Sequence, residues 1–142
     1  MNVFVFQSTP ERYDLREKVT AGSTDTWYAT RYRNQMSTGD IVFFWMAGDM
    51  HFRGLYGWGE LISPPYLKPG WDSHGVDVRY QTKFKRAISA RKVGGDRVLS
   101  DMLIFRAPQA TNFLLTEAQA KRLIKFVEKC GEDAPAREIT ER

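Results

Sequence analysis

The chain is rich in aromatic rings and poor in nucleophiles and metal ligands. Its 142 residues include 4 Trp, 6 Tyr and 9 Phe, against one cysteine and two histidines. A lone Cys130 permits no disulfide within the chain and no thiolate cluster. His51 and His74 are too few and too scattered for a zinc site, so neither a metal nor a cofactor is expected. No phosphate-binding loop, paired-histidine motif or nucleophile elbow is present. Gly54-Leu55-Tyr56-Gly57-Trp58-Gly59 imitates a dinucleotide loop, but it is bulky where that loop must expose backbone, and no helix follows. What remains is stacking chemistry. Trp27 follows a polar stretch, a setting that suits a ligand wall or a core-capping ring equally. Trp71 sits in a Pro/Gly loop, as a second wall or a loop anchor. Trp45 and Trp58 lie in strands, where core packing is the stronger expectation, although flanking glycines leave space beside Trp58.

The cations point the same way. The formal net charge is +4 and the pI about 9.3, which suits a polyanionic partner. Arg79, Lys83, Lys85, Arg86, Arg91, Lys92 and Arg97 form a run interrupted only by Asp96. Such a run tracks a phosphate backbone, or is simply a solvated strand face. Hydrophobic residues make up 42%, enough for one core and too many for a disordered chain. One domain is expected over residues 1–130, followed by a polar, frayed tail over 131–142. No segment reaches the length of a membrane span. The apolar N-terminus reads as a strand rather than a signal peptide, which makes a cytoplasmic location the default expectation.

These residues need elements to hold them. Asn2 to Gln7 reads as a first strand. Ser8-Thr9-Pro10-Glu11 reads as a helix start with Ser8 as cap, running to about Val19. Trp27 to Met36 suggests a short helix, and Ser37 to Asp40 a turn held by Asp40. Ile41 to Ala47 is a buried strand and Phe52 to Ile62 a glycine-punctuated one. Ser63 to Gly75 reads as a loop. Val76 to Phe84 alternates as a half-exposed strand. Arg91 to Asp101 holds a short helical turn, and Leu103 to Arg106 reads as a short strand. Thr116 to Cys130 is the clearest helix: Thr116 and Gln119 fit a capping box, Ala120, Leu123, Ile124 and Val127 share one face, and Gly131 stops it. The sum is an α+β domain with a curved, mostly antiparallel sheet.

Several stretches then carry a likeness. Thr26 to Arg31, Met36 to Phe44, Gly54 to Leu61 and Pro108 to Glu117 resemble, in order and content, the EVE family. That family belongs to a PUA-like group that includes the YTH readers of methylated adenine. The likeness covers roughly Asn2 to Lys129; one departure is Ala110, where glycine is expected. The resemblance implies a PUA-like pseudo-β-barrel that binds nucleic acid carrying a modified base, without catalysis. It implies a base pocket drawn from Trp27, Trp71, Trp58, Gln7, Ser8 and Tyr28. Backbone contacts would come from Arg31, Arg33, Lys83, Lys85, Arg86, Arg91 and Lys92. The chemistry is sound in itself, since stacking one base on an aromatic ring contributes about 1–3 kcal/mol. Two other readings stand beside it. The related ASCH type implies a small hydrolase using a Lys, Thr and Glu set, with Glu60 as the carboxylate. A protein-interaction module would use a hairpin tip of Met46, Met50 and Phe52.

Overall fold

A computed structural model describes residues 1–107 and 109–136. Val3–Ser8 forms β1, and every residue in it is buried. Leu15–Lys18 forms α1 and Thr24–Tyr28 forms β2. Ile41–Met46 forms β3, again wholly buried. Neither β1 nor β3 alternates polar with apolar residues, so both faces of each must be covered. Gly54–Leu61 (β4), Tyr66–Lys68 (β5), Ser73–Ser89 (β6), Ala90–Gly94 (α2), Asn112–Leu114 (β7) and Glu117–Lys129 (α3) complete the domain. The strands make one sheet of order β2-β6-β4-β3-β1-β7, with β5 added to β6. Within it β1 and β3 run parallel, Val3 opposite Ile41 and Ser8 opposite Met46. Every other pair is antiparallel. This is the curled half-barrel of a PUA-like α+β fold, as expected.

Two cores follow from the two covered faces. Val5, Phe43 and Trp45 pack with Leu123, Ile124 and Val127 of α3. Phe4, Phe6, Val42 and Phe44 pack with Leu15, Trp27 and Tyr80 on the other side. Register shifts near Trp45, Gly57 and Gly59 bend the sheet between them. A Cβ at Gly57 would stand 2.2 Å from the Thr82 carbonyl oxygen, and one at Gly59 2.3 Å from that of Arg79. Only glycine lets β4 approach β6 so closely. The last helix has its full capping box, with Thr116 and Gln119 exchanging bonds, and it buries Ala120, Leu123, Ile124 and Val127.

Several local expectations need correction. The helix read from Ser8 to Val19 shrinks to α1, because Asp14 rather than Ser8 caps it by accepting from Arg16 N. Residues 9–13 form a turn, in which Arg12 N and Tyr13 N both donate to the Thr9 carbonyl. The short helix read over Trp27 to Met36 is the end of β2, then a single 3-10 turn at Arg33–Gln35. Leu103 to Arg106 is not a strand; Leu103–Phe105 is a 3-10 turn that buries Ile104. The loop read over 63–75 contains β5. The start of the tail is docked rather than frayed: the Glu132 carboxylate accepts from the backbone of Lys85 and Arg86, and Trp58 Nε1 donates to Asp133 O. Residues 137–142 of that tail, and Pro108 of the family-like stretch, lie outside the described residues.

Candidate functional site

The C-terminal end of β1 is where the sheet opens. Gln7 and Ser8 end that strand, and the 9–13 turn leads away from it. Beside them lies a cavity of about 450 Å³, walled by Thr9, Arg12, Tyr13, β2 residues 26–28, Trp71 and residues 109–111. That volume is typical of a small-ligand site, for which roughly 300–1,000 Å³ is usual.

Its aromatic side has two parts. Trp27 is only 6% exposed. Its ring packs on Phe44 (centroids 5.3 Å apart) and edge-on to Tyr13 (5.4 Å), and its Nε1 donates to the Tyr80 hydroxyl at 3.0 Å. Trp27 is therefore the fixed floor. Tyr28, by contrast, is 40% exposed, and Trp71 lies against it with ring centroids 4.5 Å apart and planes 36° apart. These two rings form the outer wall.

The hairpin that carries Trp71 is held by Asp77. Its Oδ1 accepts from Tyr66 Oη and from Thr26 Oγ1, each at 2.7 Å. Gly70 (φ +85°) and Asp72 (φ +51°) turn the chain on either side of Trp71. A Cβ at Gly75 would stand 2.9 Å from Thr26 Cγ2 and 3.4 Å from the Trp71 ring, so glycine there lets the indole settle over β2.

The polar side is largely pre-set. Ser8 Oγ donates to Tyr13 O at 2.8 Å. Its proton is committed, and the oxygen can only accept from a ligand. Gln7 Nε2 donates to Ala110 O at 2.7 Å, so the residue found in place of glycine serves through its carbonyl. Asn112, fully buried, was not singled out by sequence reasoning. Its Oδ1 accepts from Thr30 N (2.9 Å) and Arg31 N (3.3 Å), while Nδ2 donates to Tyr28 O (2.9 Å). That staples β2 to β7 and sets Tyr28 at the rim. The only signal was a polar residue ahead of the short apolar run Phe113-Leu114-Leu115. Arg12, Tyr13, Thr9, Gln109 and Thr111 were missed as well, because a turn and a distant segment bring them in.

Beneath the floor lies a buried hydroxyl cluster. Tyr80 Oη lies 3.2 Å from Tyr13 Oη and 3.4 Å from Asp25 Oδ2, and its single proton bonds one of the two. Burial pushes the Asp25 carboxyl above its ordinary range, against hydrogen bonds from Thr26 N and Tyr80. Burial likewise raises the Tyr80 phenol, since in both groups desolvation works against the charged form.

Other candidates sit elsewhere. Trp58 packs on the opposite core and bonds to Asp133, away from this cavity. Arg31 and Arg33 are exposed on the segment after β2, next to Tyr28 in sequence. Lys83 Nζ donates to Arg16 O at 2.6 Å, near α1. Lys85 and Arg86 lie farther along β6, where Glu132 bonds their amides. Arg91 and Lys92 are exposed on α2. Glu60 stands in β4 opposite Ile41 and Arg79, outside the cavity, so the hydrolase reading has no carboxylate there among the described residues. The hairpin-tip reading loses Met46, which is fully buried in β3, and Phe52, half-covered by the Arg16 guanidinium; Met50 alone is well exposed. Among the described residues no helix is long and apolar enough to cross a membrane.

The curled sheet, with a cavity at the ends of β1 and β2, defines a PUA-like domain. The EVE domain family model matches residues 2–126, and the chain belongs to that family. Solved structures share its fold. A hypothetical protein from Leishmania major has a TM-score of 0.73 at 18% identity, over 92% of this chain and 97% of that one. Rpa0253 from Rhodopseudomonas palustris has 0.71 at 18%, over 88% and 92%. Human THYN1, solved in complex with 5-methylcytosine containing DNA, has 0.68 at 20%, over 95% and 100%. No curated protein sequence matches the chain.

Proposed function

We propose that this domain is a non-catalytic reader that takes a modified nucleobase of DNA or RNA into the cavity beside Gln7 and Ser8. The observation that carries the reading is the cavity's composition: an aromatic floor and wall, polar groups with fixed roles, and Arg12 at the edge. A base brings a flat polarisable face to Trp71 and Tyr28, and stacking repays part of the few kcal/mol that extrusion costs. Ser8 Oγ accepts from a base amino group, and Thr9 and Gln109 line the same space. An added methyl needs an apolar surface, which Trp27 and Tyr13 offer. The complex of THYN1 with 5-methylcytosine containing DNA makes modified cytosine the first base to try. Arg12 lines the cavity, and Lys68 Nζ and Lys18 Nζ lie 5.8 and 5.9 Å from the Trp71 and Tyr13 ring centroids, while Arg31, Arg33, Lys83, Lys85, Arg86 and Lys92 extend the positive field beyond it.

The test is a titration, at stated salt, with single- and double-stranded oligonucleotides carrying one plain, methylated or hydroxymethylated cytosine, or plain or methylated adenine. Trp71→Ala runs in parallel. Preference for one modified base, lost in the variant, is the expected result. Salt-sensitive binding without any base preference would reduce the domain to a general nucleic-acid module.

A further inference from the structure

A second depression opens on the same rim. It has a volume of about 790 Å³ and is lined by Arg53, Arg91, His51, Ser89, Gly94 and Phe105, among others. Two short segments separate it from the aromatic cavity. On one side, Ala47 N donates to Ser8 O at 2.8 Å, and the next residue, Gly48, lies against both Pro10 and the Phe52 ring. On the other, Phe105 lines this depression and Ala110 the aromatic cavity, with Ala107 N donating to Leu103 O (2.8 Å) and Ala110 N to Ala107 O (3.2 Å). A strand lying across either segment would meet both depressions.

The lining of the groove combines cations, a hydroxyl and an aromatic ring. Arg53 is half-buried, and its Nε is shut off from solvent with no hydrogen-bond partner among the described residues. A guanidinium N–H left so is unfavourable unless an acceptor reaches it. Neither Arg53 nor Arg91 forms an ion pair among the described residues. The nearby carboxylates are engaged otherwise: Asp49 with His51 at 2.6 Å, Asp101 with Arg106 at 2.9 Å, and Asp96 with Arg122 at 2.8 Å. Ser89 Oγ accepts from Lys92 N, which leaves its proton to donate. Phe105, half-buried and edge-on to Trp45 at 5.5 Å, supplies an apolar wall suited to a sugar or a base face. The two arginines are drawn together because Ala90 N donates to Arg53 O at 2.9 Å. That approach needs Gly54, whose φ is +150° and whose Cβ would stand 2.1 Å from Ile88 O.

We propose that this groove binds a phosphodiester and its sugar, in the same strand whose base enters the aromatic cavity. Arg53 and Arg91 hold the phosphate oxygens, Ser89 donates a further bond, and Phe105 packs on the neighbouring nucleoside. The proposal rests on the nucleic-acid reading of the adjoining cavity, but its own interactions are independent of base identity.

The experiment titrates the full chain with matched modified and unmodified single-stranded oligonucleotides, between about 50 and 200 mM salt. Arg53→Gln/Arg91→Gln is compared with wild type. The double variant is expected to lose about tenfold in affinity for both oligonucleotides equally. Its log–log salt slope should flatten by roughly 0.7 for each phosphate that the variant no longer neutralises. Arg91→Gln alone, at an exposed position, should show part of the same loss, which guards against misfolding of the double variant; a melting curve checks each. If the double variant binds as wild type with an unchanged salt slope, the groove proposal is overturned, even where base preference persists. If wild type shows no base preference yet the arginine variants still weaken binding, the groove stands and the base reading falls. Failure of any oligonucleotide to bind removes both.

Discussion

Trp27 and Trp71 line one cavity, but their surroundings give them different work. Trp27 is locked among Phe6, Tyr13 and Phe44, so Trp27→Ala should cost about 3–5 kcal/mol of stability, as large core truncations do. Trp71 stands at the rim against one exposed ring. Trp71→Ala should leave the melting temperature nearly unchanged and weaken binding of a modified oligonucleotide by about 1–3 kcal/mol. Thermal melts and titrations of the two variants together separate these outcomes. Asp25 offers a second test at this scale. Its folded carboxyl titrates above the ordinary range, chiefly through burial. The folded state therefore binds more protons than the unfolded chain between those two values, and stability falls as pH rises through that window. Asp25→Asn should raise the melting temperature relative to wild type near neutral pH. The gain should vanish below the ordinary carboxylate range; a variant equally stabilised at both pH values would contradict this. The sequence made both indoles visible as candidates, Trp71 through its Pro/Gly loop. It did not reveal Tyr13 or Asn112, since neither local pattern nor composition says what a turn will fold onto.

At the level of elements, the legible parts were those whose signal is local. The α3 capping box and apolar stripe, the Ser37–Asp40 turn and the unbroken apolar runs of β1 and β3 all need only near neighbours in sequence. The 8–19 segment misled because Ser8, Pro10 and Glu11 imitate a helix start, whereas the Ser8 hydroxyl is drawn to Tyr13 O and Asp14 holds the cap. Strand β7 was hidden because three residues carry no period; β1 alone makes them a strand. Two variants probe what such packing and bonding contribute. Gly57→Ala should destabilise by about 1–3 kcal/mol or more, as overpacking does, because its methyl would meet the Thr82 carbonyl. Asn112→Ala leaves Thr30 N and Tyr28 O unpaired and should cost roughly 2–3 kcal/mol. It should also weaken oligonucleotide binding by freeing Tyr28. Denaturant unfolding measures both costs.

Across the whole molecule, the two depressions share a rim built from the ends of β1 and β3, so a ligand spanning them ties the folded chain together. An oligonucleotide present at about 100 times its dissociation constant should add about 2.7 kcal/mol to apparent stability, seen as a rise in melting temperature of several degrees. A rise equal for modified and plain strands would place the binding energy in the backbone contacts rather than the base. The sheet order carries a further consequence. Strand β1 lies between β3 and β7, and Phe4 pairs with Leu114. The domain's first strand therefore waits for its last, with one edge uncovered meanwhile. Such distant pairing favours slow folding, in the millisecond-to-second range rather than microseconds. Residues 109–111 of the cavity wall immediately precede β7, so the cavity closes only when synthesis of the domain is nearly finished. A nascent chain stalled before Gln109 would hold most of the sheet, Trp27 and Trp71, yet lack one wall of that cavity.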